Sequence, residues 1–202
     1  MSFSTRDPMK KGPPRDDELV VQAQEGNQTA FEGLYNRYNT PMCIYMARMV
    51  GNDEVGCELV QETFLKVWQG LPSLRDPHCF TSWLYRIATN VVRDYQRRVR
   101  RFHLLPWNEY TKSADDISVE GPEQQIEETE IFNLALARVS LTYRACLVMY
   151  IVEELPQQQI AERLSINKNS VSKYVSRGLE EFRQIYFRLV NEYDVLREGR
   201  RN

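Results

Sequence analysis

Residues 80–101 read FTSWLYRIATNVVRDYQRRVRR, and at helical spacing this stretch has two faces of different character. One face is apolar at intervals of three and four positions, which directs it towards a core: Leu84, Ile87, Ala88, Val91 and Tyr95. The other face carries Arg86, Asn90, Arg93, Arg97 and Arg100. Arginines along one side of a helix, with an amide among them, suit a phosphate backbone and the neighbouring base edges. The stretch therefore predicts a nucleic-acid-binding helix, with a solvated charged face as the alternative.

The formal net charge of −2 conceals an uneven distribution along the chain. Residues 80–101 are strongly basic, and the part that follows, residues 115–130, is strongly acidic. Such asymmetry indicates a nucleic-acid binder that carries its own acidic segment.

The cysteines and histidines predict neither a metal site nor a disulfide framework. The four cysteines are widely spaced without a C-x-x-C pair, and the chain has only two histidines. We therefore expect no cofactor, and reduced, mostly buried thiols in a cytoplasmic protein. No apolar run has the length of a signal peptide or a membrane span, so we also expect no membrane insertion.

The order of helical patterns and breaks predicts an all-α fold with two small helical domains joined by a flexible acidic linker. Pro41 is expected to begin a new helix within the first domain. The linker is recognised by its lack of helical periodicity and by its proline and glycine residues. The predicted segments are a disordered lead-in at 1–15, a first domain at 16–102, the linker at 103–122 and a second domain with a C-terminal helical extension at 123–202.

Residues 54–69 predict a helix whose outward face is unusual. Its core face is regular, and the opposite side holds Glu58, Gln61, Glu62 and Leu65. A leucine among carboxylates and amides leaves apolar surface beside hydrogen-bonding groups, which indicates a protein partner. Single exposed leucines are also normal on soluble proteins, so this face alone does not decide the matter.

Residues 155–183, LPQQQIAERLSINKNSVSKYVSRGLEEFR, predict a helix-turn-helix. Two short apolar-faced helices are joined by a tight turn at 165–167, and a plain pair of packed helices is the alternative. The outward positions of the second helix carry side chains that can donate to phosphates or bases: Lys168, Asn169, Ser172, Lys173, Ser176 and Arg177.

Taken in order, these motifs resemble the extracytoplasmic-function (ECF) sigma factors of bacteria, which belong to the superfamily of the housekeeping sigma factor. EGNQTAFEGLYNRY at 25–38 resembles the opening motif of that family, and ELVQETFLKVW at 58–68 resembles its polymerase-docking segment. FTSWLYRIATNVVRDYQRR at 80–98 resembles the segment that melts and reads the −10 promoter element, and the helix-turn-helix resembles the −35 reader. The resemblance covers roughly residues 16–183.

The resemblance implies a non-enzymatic transcription initiation factor that binds core RNA polymerase and promoter DNA and is held inactive by an anti-sigma factor. It implies that sigma region 2 occupies 16–102 and sigma region 4 occupies 123–202. It assigns polymerase docking to Glu58, Gln61, Glu62 and Leu65. It assigns −10 contacts to Leu74, Arg75, Arg86, Asn90, Arg93, Arg97 and Arg100, with a flipped base between the Leu74–Arg75 loop and Asn90.

The sequence departs from the family pattern at the start of the recognition helix, which reads Asn169-Ser170-Val171-Ser172-Lys173 where the family often has Gly-Thr-Val-Lys/Arg-Ser, and at two other positions. Ser172 stands where a cation is common, Gly178 where alanine is usual and Leu74 where an aromatic residue is common. Because of these departures, the sequence does not predict which promoter sequence the chain binds.

Two other functions are the alternatives to this interpretation. A polymerase-independent helix-turn-helix regulator would explain residues 159–177 but would leave the other two faces unused. A nucleic-acid enzyme is disfavoured because the sequence has no metal-ligand cluster, nucleophile–base motif or phosphate-binding glycine loop.

Overall fold

The structure, a computed structural model, describes residues 13–103 and 128–199, and within these ranges it consists of helices without any strand. The predicted all-α fold with two helical groups is confirmed. Residues 1–12 of the predicted lead-in and 104–127, which contain nearly all of the predicted linker, lie outside the described residues. The helices are α1 Asp16–Gln24, α2 Gln28–Val50, α3 Asp53–Gly70, α4 Phe80–His103, α5 Glu128–Arg138, α6 Leu141–Leu147, α7 Gln157–Leu164 and α8 Lys168–Gly199, with short helical turns at Leu71–Ser73, Pro77–Cys79 and Val148–Val152.

A tight helical hairpin, α2–α3, forms the centre of the first group. The Asn52 side chain accepts a hydrogen bond from the Val55 amide at 2.9 Å and so begins α3. Gly51 connects the helices with a φ of +78°, a conformation that glycine adopts without steric cost. A β-carbon on Gly56 would lie 2.5 Å from the α-carbon of Ala47. The two helices therefore approach closely enough to require glycine there.

Pro41 does not begin a helix, contrary to the prediction, but lies inside the continuous helix α2. Proline removes one backbone hydrogen bond from a helix and crowds the preceding turn. Leu34 before it and Tyr45 after it are both fully buried in the same core. Burial on both sides therefore holds the helix together across the proline.

The predicted apolar face of α4 is the face that packs into the core. Leu84, Ala88 and Val91 are fully buried, and Ile87 and Tyr95 are partly buried against them. This packing leaves the arginine face of α4 directed away from the first-group core.

The second group contains the predicted helix-turn-helix. Ser165 follows α7 with a positive φ of 52°, and the Asn167 side chain accepts a hydrogen bond from the Asn169 amide at 2.9 Å at the start of α8. Beyond the recognition segment, α8 continues without a break to Gly199 and packs on α5 through a small core of Ile131, Ala135 and Leu189. The predicted helical extension is therefore confirmed.

The thiols are less buried than the sequence suggested. Cys146 is buried and Cys43 is partly buried, but Cys57 and Cys79 are exposed, and all four are free. The expectation of mostly buried thiols is wrong, because both exposed cysteines lie on the solvent side of their helical segments. Among the described residues, no helix combines the length and the apolar character needed to cross a membrane.

Candidate protein and nucleic-acid interfaces

The outward face of α3 presents apolar surface beside polar groups. Glu58 and Gln61 are exposed, and Leu65 is 57% exposed. Trp68, three positions further along, is 39% exposed, with its ring edge-on to Phe31 at 4.7 Å. Trp68 was not among the predicted site residues, although its spacing from Leu65 places both side chains on neighbouring parts of the helix surface. Together they form an apolar patch that can be buried by a partner.

Glu62 is not a free carboxylate on this face, because it connects α3 to α4. Its oxygens lie 2.9 Å from Lys66 Nζ and 3.1 Å from Arg98 Nη2. Partial burial raises the pKa of Glu62, but the hydrogen bonds and positive charges of Lys66 and Arg98 outweigh that effect. The pKa of the Glu62 carboxyl therefore lies below its ordinary value. A substitution of Glu62 would therefore disturb an intramolecular contact as well as any docking.

The polar face of α4 carries its predicted residues in exposed positions. Arg86, Asn90, Arg93 and Arg97 are exposed, whereas the side chain of Arg100 lies outside the described part of the structure. Arg93 Nη1 donates to Asn90 Oδ1 at 2.7 Å, which orients the Asn90 amide on the helix surface. The NH₂ group of this exposed side chain can then donate to a base edge.

The loop that carries Leu74 and Arg75 is fixed against α1. Gln24 Nε2 donates to the carbonyl oxygens of Leu71 and Leu74 at 2.9 and 2.8 Å. Leu74 packs partly buried against the core, and Arg75 is exposed. The cleft beside Asn90 is lined by residues of α4, by Thr142 and Ala145 of α6 and by Leu164 and Ile166, and neither Leu74 nor Arg75 is among its lining residues.

The six predicted side chains at the start of α8 are all exposed: Lys168, Asn169, Ser172, Lys173, Ser176 and Arg177. Arg177 Nη1 donates to Tyr143 Oη at 3.2 Å. A β-carbon on Gly178 would lie 2.9 Å from Leu147 Cγ and Cδ1, so α8 and α6 approach closely at this point. The close approach explains why this chain has glycine at a position where the ECF sigma factors that it resembles usually have alanine.

Comparisons with known proteins agree with this arrangement. A model of sigma-70 region 2 matches residues 34–102, and a model of sigma-70 region 4 matches residues 129–182. The chain is 27% identical over 174 residues to the ECF RNA polymerase sigma factor SigW of Bacillus subtilis, covering 82% of this chain and 93% of SigW. It is 39% identical over 80 residues to the ECF RNA polymerase sigma-E factor of Escherichia coli, covering 40% and 41% of the two chains.

The solved structure of CnrH in complex with the cytosolic domain of CnrY has a similar fold, with a TM-score of 0.61 at 23% identity. The match covers 84% of this chain and 96% of that one.

The two matched regions, in this order and on this fold, define the protein as a member of the sigma-70 family of RNA polymerase sigma factors. Within that family it is an ECF sigma factor, the type to which SigW belongs. Members of this class are initiation factors and not enzymes.

Proposed function

We propose that this chain directs core RNA polymerase to a specific set of promoters by using three separate surfaces. The outward face of α3 docks on polymerase, the polar face of α4 opens and reads the −10 element, and the start of α8 reads the −35 element. Residues 16–102 and 123–202 act as the two functional domains in this scheme. One observation supports it above all, namely that these three chemically distinct faces occur exposed and in this order in one chain.

Run-off transcription is the direct test of this proposal. Purified chain and core polymerase are incubated with a library of promoters randomised at both elements, and the transcribed templates are sequenced. We expect a defined pair of enriched elements. Transcription that does not depend on the chain, or a chain that does not co-elute with core polymerase, would favour a polymerase-independent DNA-binding regulator.

We also propose that the chain acts in the cytoplasm and is controlled by an anti-sigma factor. CnrH was solved with the cytosolic domain of CnrY bound, and that fold is shared over most of this chain. The exposed docking and DNA-binding faces give such an inhibitor a large surface on which to compete with polymerase. A pull-down from the source cells before and after stress, with the captured protein identified by mass spectrometry, tests this partner.

Asn90→Ala is expected to impair promoter opening but not the initial binding of the holoenzyme to duplex DNA. The variant loses the outward amide that would hold an unstacked base, while the neighbouring arginines still contact phosphates. Arg97→Ala is the matched variant on the same face, and it should weaken binding to all sequences and reduce the salt slope by about 1. Permanganate footprinting measures opening, and normal opening by the Asn90 variant would remove this residue from the melting site.

Lys173→Ala and Arg177→Ala are each expected to weaken binding to the −35 element by about 1–3 kcal/mol. Both side chains are exposed cations on the recognition segment and can reach guanine or phosphate. Ser172→Arg should add non-specific affinity or shift base preference. Fluorescence anisotropy with −35 duplexes measures these effects. Arg188→Ala, an exposed arginine further along α8, is the control that should change nothing.

A further inference from the structure

Tyr143 belongs to α6, yet it lies beside the recognition segment at the start of α8. A groove of about 860 Å³ runs between the start of α6 and α8. Its lining includes Thr142 and Tyr143 on one side and Lys173 and Arg177 on the other. Two of the side chains predicted to contact the −35 element therefore share this groove with a tyrosine that was not among the predicted contact residues.

The Tyr143 side chain is partly buried and is held by contacts with α8. Its ring packs against the Tyr174 ring, with the two centroids 5.5 Å apart. A β-carbon on Gly178 would lie 3.2 Å from Tyr143 Cβ, so the backbone of α8 also passes close by. Because a packed aromatic ring has few accessible rotamers, its hydroxyl is a fixed acceptor at the edge of the groove.

Arg177 uses this acceptor, since its Nη1 donates to Tyr143 Oη at 3.2 Å. Two acidic side chains also line the groove, but both accept hydrogen bonds elsewhere: Glu181 from Ser140 Oγ at 3.1 Å and Glu180 from Gln184 Nε2 at 2.9 Å. Among the described residues, no carboxylate forms an ion pair with Arg177. The arginine is therefore oriented by a neutral group, which leaves its positive charge available for DNA.

We propose that Tyr143 is a positioning residue for −35 recognition, whose hydroxyl holds the Arg177 guanidinium ready for contact with DNA. This inference rests on the proposed role of the start of α8 in reading the −35 element. A long side chain that is immobilised on binding lowers the affinity, and a side chain that is already held loses less freedom. The bond to Tyr143 uses a single N–H, so the other N–H groups can still donate to guanine or phosphate.

Lys173 provides a comparison within the same groove. It lies one helical turn before Arg177 and forms no hydrogen bond or ion pair with the described residues. Its contact with DNA should therefore be independent of Tyr143. The two cations of the groove are expected to respond differently when the Tyr143 hydroxyl is removed.

Tyr143→Phe in the full chain tests the proposal, because it removes the hydroxyl and keeps the ring that packs on Tyr174. The probe is a fluorescent duplex with the −35 sequence that the purified chain selects from a randomised pool. We expect about twofold to tenfold weaker binding by anisotropy, the cost of ordering one long side chain. The salt dependence should not change, because no cation is removed.

The same substitution in two further backgrounds separates positioning from direct contact. In an Arg177→Ala background, Tyr143→Phe should have no further effect, because the side chain that it positions is absent. In a Lys173→Ala background, it should have its full effect. Tyr186→Phe is the matched control, since Tyr186 is also partly buried but stacks on Phe182 beyond the recognition segment.

NMR relaxation of the Arg177 side-chain Nε gives a readout that needs no DNA. In the free chain, Tyr143→Phe should make this group more mobile, whereas Tyr186→Phe should leave it unchanged. Equal mobility of Arg177 in the wild type and the Tyr143 variant would overturn the proposal.

The binding data can also overturn it in two ways. Unchanged affinity of Tyr143→Phe, where Arg177→Ala does weaken binding, would remove the positioning role and leave the proposed function intact. An effect that persists in the Arg177→Ala background would mean that Tyr143 contacts DNA itself. If Arg177→Ala binds like the wild type, the proposed −35 role of Arg177 is wrong, and the positioning role fails with it.

Discussion

Leu65→Glu should abolish stable binding to core RNA polymerase while the fold is retained. The leucine is 57% exposed, so a glutamate there remains hydrated in the free chain and costs little stability. In a complex that covers the Leu65–Trp68 patch, the same carboxylate would be buried without a partner. We expect a loss of about 2–4 kcal/mol of binding free energy, the range of interface hot spots, which is roughly 30-fold to 1,000-fold in affinity.

Co-elution with core polymerase and a fluorescence titration measure this loss, and circular dichroism measures the fold. Val21→Glu is the matched control, since Val21 is also exposed, at 43%, but lies on α1. Unchanged polymerase binding by the Leu65 variant would remove this face from the docking surface. Leu65 is a sharper test than Glu62, because Glu62 already pairs with Arg98 of α4.

Arg144→Met should lower the free energy of unfolding by about 2–4 kcal/mol, because the loss of a buried charged donor leaves carbonyls unsatisfied. Arg144 is 3% exposed, and its guanidinium donates to the carbonyl oxygens of Val139 and Met49. The Val139 carbonyl lies just before α6, and the Met49 carbonyl lies at the end of α2 in the other helical group. Methionine keeps much of the apolar stem but has no donor.

Urea denaturation followed by circular dichroism measures the change in unfolding free energy. Arg183→Met is the control, because Arg183 is exposed on α8 and should change stability by no more than about 0.5 kcal/mol. If Arg144→Met were as stable as the wild type, the buried contacts to Val139 and Met49 would contribute nothing net to the fold.

Much of the candidate site could be predicted from local periodicity. The two faces of α4 follow from intervals of three and four positions, and the structure buries Leu84 and exposes Arg86 accordingly. The helix-turn-helix follows in the same way from the short turn and from Asn167, whose side chain bonds the Asn169 amide. Trp68 was not predicted because it lies four positions after the buried Phe64, where helical periodicity favours burial.

Most of the helices, their inward and outward faces and the order of the three candidate surfaces follow from the sequence, because these depend on residues within one or two helical turns of each other. Packing between helices is needed to explain three other features: α2 continues through Pro41, Glu62 pairs with Arg98 at a separation of 36 residues, and Tyr85 meets Glu153 at a separation of 68. Such distant contacts are fixed by how the helices pack, and no local pattern encodes them.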